Sequence, residues 1–260
     1  MRFGVLGPLF VLDDERDITP TAPKQRQLLA LLLINANQAV PVGKCVEELW
    51  DSQPPTTAVA AVQTYVKDLR HALRSRLVTN RQGYLLRVEP GELDADVFAE
   101  FARASHRATV AETLRTLRQA LRLWRGDALV DVTAGPLLHR SVVEWEGRRL
   151  RTIVRRIGIE LSAGRHHELI AELSALVRRH PTHEELTVQL MLALYRSGRQ
   201  ADAITVFHRL RQALRDELGT VPSAVTQQLN TDILSASAHL EHSAGAGPGL
   251  SLDLAADLAS

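Results

Sequence analysis

Between Lys67 and Arg87 six cations, Lys67, Arg70, Arg74, Arg76, Arg81 and Arg87, accompany a single anion, Asp68, a local balance of +5 in a 260-residue chain whose formal net charge is +1. Cationic groups gathered so densely on one short stretch make an electrostatic footprint for phosphate. Other reactive residue types are sparse. His166-His167-Glu168 and His180-Pro181-Thr182-His183-Glu184 carry metal-binding side chains, but neither cluster has a third ligand at recognisable spacing, and solvated loops are expected there. No Gly-x-Ser-x-Gly elbow and no His-Glu-x-x-His helix occurs. No catalytic residue, metal site or cofactor is therefore assigned. Cys45 is the only cysteine, which rules out an internal disulfide and a cysteine-built zinc site.

The cations need an element to present them. Read as a helix from Thr56, the chain places Val59, Val62, Val66, Leu69 and Leu73 at steps of three and four, one stripe facing a core. Thr57, Ala60, Thr64, Lys67, Asp68 and His71 then form the outer side, with Gln63 at its margin. Leu77-Val78-Thr79 and Tyr84-Leu85-Leu86 read as two short strands joined by Asn80-Arg81-Gln82-Gly83. Upstream, Thr21-Ala22-Pro23 reads as a helix start with a capping hydroxyl, followed by the apolar run Leu28 to Ile34. A second helix is expected over Val42 to Trp50, and Thr56 or Thr57 is placed to cap the third. Three helices with tight joints and a terminal hairpin make a winged helix-turn-helix, an architecture that presents its third helix to the major groove.

The chain divides near Glu89-Pro90-Gly91. Ahead of the three helices, Arg2 to Leu12 alternates and breaks at Gly7-Pro8, which suggests a small antiparallel sheet. Beyond the break the pattern is helical: about Asp94 to Ala108, Ala111 to Trp124, Pro136 to Ala163, Arg165 to Arg179, His183 to Ser197, Arg199 to Leu218 and Ser223 to Ser235. Stop signals at Gly126, Gly164, Pro181, Gly198 and Gly219 separate them. Leu194, Ala203, Ile204 and Phe207 around Gly198 loosely match a tetratricopeptide pair. The expected fold is mainly α: a winged helix-turn-helix domain with small antiparallel sheets over 1–90, an all-α domain of TPR-like helical hairpins over 91–238, and a disordered tail over 239–260. At 45% hydrophobic and 4% aromatic, both cores must be built mainly from Leu, Val and Ala. The longest apolar run is too short to span a bilayer and the start is not a secretory signal, so no membrane association and a cytoplasmic location are expected.

Several short motifs carry a family resemblance. They are Arg2-Phe3-Gly4-Val5-Leu6-Gly7-Pro8-Leu9, Pro23-Lys24-Gln25-Arg26, Glu48-Leu49-Trp50, Tyr65-Val66 with Leu69-Arg70, and Thr79 followed by Gly83-Tyr84-Leu85. Leu123-Trp124-Arg125-Gly126, Gly164-Arg165-His166 and Leu190 to Ala201 extend the pattern into the helical half. In order and spacing the chain resembles the Streptomyces antibiotic regulatory proteins, activators with an OmpR-type winged helix followed by a bacterial transcriptional activation domain. The resemblance implies double-stranded DNA as a partner, read as direct repeats by two head-to-tail protomers, and recruitment of RNA polymerase holoenzyme at promoters of a secondary-metabolite cluster. It also implies no ATP-driven module within this polypeptide. A helical adaptor whose first domain binds protein is the alternative reading.

On the winged-helix reading, Lys24, Thr56, Thr57, Arg70, Arg74 and Arg76 would hold DNA phosphates. Gln63, Thr64, Lys67, Asp68 and His71 would read base edges, lysine at guanine acceptors and aspartate at cytosine N4. Arg81 at the wing tip, beside Thr79, would border the minor groove. The resemblance implies a basic residue in many relatives where this chain has Asp68, which either reads a cytosine or pairs with Lys67, Arg70 or His71.

Overall fold

The computed structural model describes residues 1–104 and 109–240. Three short strands open the chain, β1 (Arg2–Gly4), β2 (Phe10–Asp13) and β3 (Arg16–Asp17), paired antiparallel in the order β1-β2-β3. Then follow α1 (Pro23–Ile34), β4 (Ala39–Val40), α2 (Val42–Trp50), α3 (Ala58–Leu73), a 3-10 turn at Arg74–Arg76, and the hairpin β5 (Leu77–Asn80) and β6 (Gly83–Leu86). The rest is helical: α4 (Asp94–Ala104), α5 (Val110–Arg122), α6 (Pro136–Ser162), α7 (His166–Arg179), α8 (Glu184–Arg196), α9 (Gln200–Leu218) and α10 (Ala224–Leu234). These elements match the expected ones within a few residues. The end of the helix expected over 94–108 and the tail beyond 240 lie outside the described residues.

By packing, the chain forms one compact unit over Met1–Thr152 and another from Ile153, the division falling inside α6. In the first unit α1 is the central element. Leu28 to Leu33 are fully buried, and Val62, Val66, Leu69 and Leu73 of α3 join the same core. Phe3 of β1, Val5 and Leu6 just after it, Phe98 of α4, Trp124 and Leu138 of α6 extend it. Phe98 meets Trp124 edge-on at 5.6 Å, and the Arg149 guanidinium covers Trp124 at 4.6 Å.

Three expectations about local structure change. Val59 is 51% exposed and Ala58 is buried in its place, because the buried stripe of α3 runs Ala58, Val62, Val66, Leu69 and Leu73 and leaves Val59 on its flank. Thr21 caps nothing: Ala22 is the N-cap of α1, with Pro23 in the first turn. Thr57 is the N-cap of α3, but its side chain makes no capping hydrogen bond. The wing also gains a third strand absent from the sequence reading, since β4 pairs with β6 in a sheet ordered β4-β6-β5.

In the second unit α7 packs on α8, α8 on α9, and α10 on both α8 and α9. Leu194, Ala203 and Phe207 are buried where α8 meets α9, and Ile204 is half-buried, as the tetratricopeptide-like reading places them. Glu184 ties α8 to α10: its Oε2 accepts from the Ser223 amide at 2.9 Å and from the Ser223 and Thr226 hydroxyls. His166, expected in a solvated loop, is buried in the first turn of α7. His183 is the N-cap of α8, its Nδ1 accepting from the Leu186 amide at 3.4 Å. Burial and the neighbouring His180 lower its pKa.

Candidate nucleic-acid interface

The outer face of α3 is fully displayed. Ala60, Gln63, Thr64, Lys67, Asp68 and His71 are all exposed, while Ala58, Val62, Val66, Leu69 and Leu73 anchor the other side. The Thr64 hydroxyl donates to the Ala60 carbonyl at 3.0 Å, which fixes its rotamer while its lone pairs stay outward. Asp68 accepts a hydrogen bond from the Gln25 amide of α1 at 2.9 Å. Gln25 is a partner that sequence reasoning did not name, since 43 residues separate the two. Held there, the Asp68 carboxylate keeps a fixed place on the displayed face.

Arg70 turns towards the wing. Its Nε donates to the Leu77 carbonyl at 3.1 Å and its Nη2 to the Thr79 hydroxyl at 2.8 Å, stapling α3 to β5. The joint is tight because Arg74, the C-cap of α3, turns the chain at a positive φ of 51°. At the wing tip the Asn80 side chain accepts from the Gln82 and Gly83 amides at 2.8 and 3.0 Å, a turn that leaves Arg81 exposed. Tyr84 and Leu86 sink into the core beneath. The hairpin is therefore a rigid arm fixed to α3 at one end and to β4 at the other.

Of the six residues expected to hold phosphates, Arg70 makes the staple just described, and the other five divide into two groups. Thr56, Thr57 and Arg74 are exposed. Lys24 donates instead to the Leu49 carbonyl at the end of α2 and to Gln27 at 3.3 Å, with its ammonium 5.6 Å from the Trp50 ring centre. Arg76 grips Glu92 through two hydrogen bonds of 2.7 and 2.9 Å. These two cations brace the scaffold, a role set by partners too distant along the chain to be read locally.

Glu92 has further partners, and they set its pKa. Burial raises it, but the Glu89 amide, the amino terminus at 3.0 Å and Arg76 together hold the carboxyl below its ordinary range. A depressed folded pKa gives stability that is present above the ordinary glutamate value of about 4.3 and is lost as pH falls through the folded value. Glu92→Gln is expected to cost about 1 kcal/mol at neutral pH. Urea unfolding should show the gap between the two proteins narrowing towards pH 3.5; a constant gap would contradict it.

The winged helix is also bolted to the helices that follow it in the first unit. Glu48 of α2, 1% exposed, accepts from the backbone amides of Gly135, Leu137 and Leu138 at 2.6, 2.8 and 3.1 Å, at the N-terminus of α6. The Gln27 amide adds a bond at 3.2 Å. Asp94, at the start of α4, accepts from the Val5 and Leu6 amides and from Arg125 at 3.0 Å. Arg125 lies over the Phe10 ring at 4.4 Å and donates to the Pro8 carbonyl at 2.7 Å. Cys45, buried in the same core, has its thiol pushed up to about 12 by burial, so it is an inert packing residue.

Among the described residues no group of three or more His, Cys, Asp and Glu side chains is placed to hold a metal ion. Nor is any helix long and apolar enough to cross a membrane.

Comparison with known proteins bears on this geometry. Residues 16–86 match the model of the transcriptional regulatory protein C-terminal domain, and residues 93–234 that of the bacterial transcriptional activator domain. The chain belongs to the Streptomyces antibiotic regulatory protein family of transcriptional activators. Within that family it is 40% identical over 252 residues to the regulatory protein DnrI of Streptomyces peucetius, covering 91% of this chain and 93% of DnrI. It is 40% identical over 242 residues to the regulatory protein AfsR of Streptomyces coelicolor, but spans only 24% of that longer protein. The solved structure of Mycobacterium tuberculosis EmbR in complex with a phosphopeptide matches with a TM-score of 0.83 at 33% identity, over 90% of this chain and 65% of EmbR. The mainly helical fold with small antiparallel sheets, and the winged-helix-plus-helical organisation of the family, are thus established for this chain.

Proposed function

We propose that this chain is a sequence-specific activator that inserts α3 into the major groove and lays its wing along the adjacent backbone. The observation carrying this is the exposed outer face of α3, with the Arg70 staple holding the hairpin beside it and Arg81 at the tip. Thr64, Lys67 and His71 read base edges, with Gln63 at the margin. Asp68, positioned by Gln25, accepts from a cytosine N4 or excludes an acceptor-bearing base. Phosphates are held by Arg74, Arg81, Thr56, Thr57 and the first-turn amides of α3. Two protomers bind direct repeats head to tail, and the helical half recruits RNA polymerase at promoters of a secondary-metabolite cluster.

Fluorescence anisotropy with labelled duplexes over a range of salt tests this. Arg81→Ala should weaken binding to every sequence and reduce the salt slope by about one unit, the share of one phosphate contact. Lys67→Ala should instead change which duplex is preferred. Equal losses for both variants across unrelated duplexes would contradict the assignment of base-reading residues. Absence of binding at low ionic strength would favour a protein-binding adaptor.

A further inference from the structure

Three arginines of α5, Arg115, Arg118 and Arg122, line an open cavity of about 370 Å³ together with Ala111, Leu114 and Gln119. The six residues recur at steps of three and four, so they form one face of the helix. The lining carries three cations and no carboxylate, and Arg115 and Arg122 are exposed. The DNA-reading elements do not use this face. α3 packs on α1, α2 and β5, whereas α5 packs on α4, and α4 on β1.

An acidic counterpart stands on the same unit. The end of β2 and the turn to β3 carry Asp13, Asp14 and Glu15, with Asp14 and Glu15 exposed, Asp14 at a positive φ of 54°, and Arg16 opposite Asp13. The sheet order β1-β2-β3 puts this turn towards the edge opposite the one flanked by α4, where Phe3 bridges to Leu93. One copy thus offers a groove with exposed Arg115 and Arg122 and an acidic tip with exposed Asp14 and Glu15, in different places. A head-to-tail contact requires this, because a heterologous interface joins two different patches.

We propose that the arginine face of α5 receives the Asp13–Glu15 turn of a second copy, forming the contact between neighbouring protomers on DNA. The proposal rests on the direct-repeat binding set out above. The turn is narrow enough for an open groove, and the arginine forks suit carboxylates. Charge pairing of this kind fixes which patch meets which, and so sets the order of protomers along a repeat.

The test uses the full chain and duplexes bearing one or two tandem copies of a site recovered by selection. The double variant Arg115→Glu with Arg122→Glu should lower cooperativity on the two-site duplex by about tenfold while leaving one-site affinity unchanged. Asp14→Arg with Glu15→Arg should do the same, and a chain carrying all four changes should regain cooperativity. Unchanged cooperativity in either double variant would overturn the proposal. So would a loss of one-site affinity in the α5 variant, which would make DNA phosphate the occupant, or a loss confined to polymerase-dependent transcription, which would make it an acidic polymerase segment. If the wild type binds no single site, the DNA reading fails, and low-salt sedimentation of the two double variants mixed one to one decides this contact separately. A heterodimer supports it; monomers alone overturn it.

Discussion

Replacing Glu48 by Ala is expected to lower the stability of the chain by about 3 to 5 kcal/mol, the largest effect of any single polar substitution in the first unit. Its carboxylate is fully buried and accepts from three backbone amides at the start of α6 and from Gln27. Truncation leaves the three backbone amides unsatisfied in a buried site, while Gln27 keeps its 2.6 Å bond to the Glu48 backbone carbonyl, and it removes an anion from the positive end of a 27-residue helix. Nor is the gap easily refilled, because Gly135 lies so close that a Cβ there would come within 2.1 Å of the Glu48 carbonyl oxygen. Glu48→Gln keeps the shape but turns an amide donor towards other donors, and should lose roughly half as much. Urea unfolding of the full chain checks both. A loss under about 1 kcal/mol for Glu48→Ala would mean that α6 is capped some other way.

Gly83→Ala carries the second large effect, and it falls on the wing. Gly83 has φ +142°, and an added Cβ would meet the Val40 carbonyl oxygen at 2.0 Å and the Pro41 Cα at 2.8 Å. Those atoms are backbone in the partner strand and at the start of α2, so relief requires separating β4 from β6. Strain and steric overlap together should cost of order 3 kcal/mol. The hairpin would swing away from α3, carrying Arg81 with it. DNA affinity is therefore expected to fall more in Gly83→Ala than in Arg81→Ala, at temperatures where both chains remain folded by circular dichroism. Equal losses would show that wing position matters less than its charge.

Most of the fold was legible because its signals are local. The helices after residue 93 are long, periodic and separated by glycine or proline stops, and among the described residues the bounds of α5 to α10 fell close to the expected ones. The outer face of α3 was legible for the same reason, since a stripe at steps of three and four identifies both of its sides. Val59 was misplaced because steps of three and four allow either Val59 or Ala58 to precede Val62 on the stripe, and here the small Ala58 takes the buried place. A strand as short as Ala39–Val40 has no pattern of its own and exists only by pairing with Tyr84 and Leu85.

The scaffold of the site was hidden for a different reason. Glu48 meets residues 87 to 90 positions away, Asp68 meets Gln25 across 43, and Arg76 meets Glu92 across 16. Nothing beside these residues distinguishes a bracing charge from a displayed one. Lys24 and Arg76 look like phosphate ligands in the sequence, and in the folded chain they hold a helix end and a carboxylate. Arg74 and Arg81 have the same appearance and are exposed. The same holds for His166, whose burial reflects packing that its polar neighbours gave no sign of.

On the proposed function the outer face of α3 reads sequence. Selection of duplexes from a random pool at low ionic strength, run in parallel with the wild type and with Lys67→Ala, tests it most directly. The wild type should enrich a tandem motif, and Lys67→Ala one differing at a single base position within each repeat. Recovery of no motif by the wild type, or of the same motif by both proteins, would contradict it.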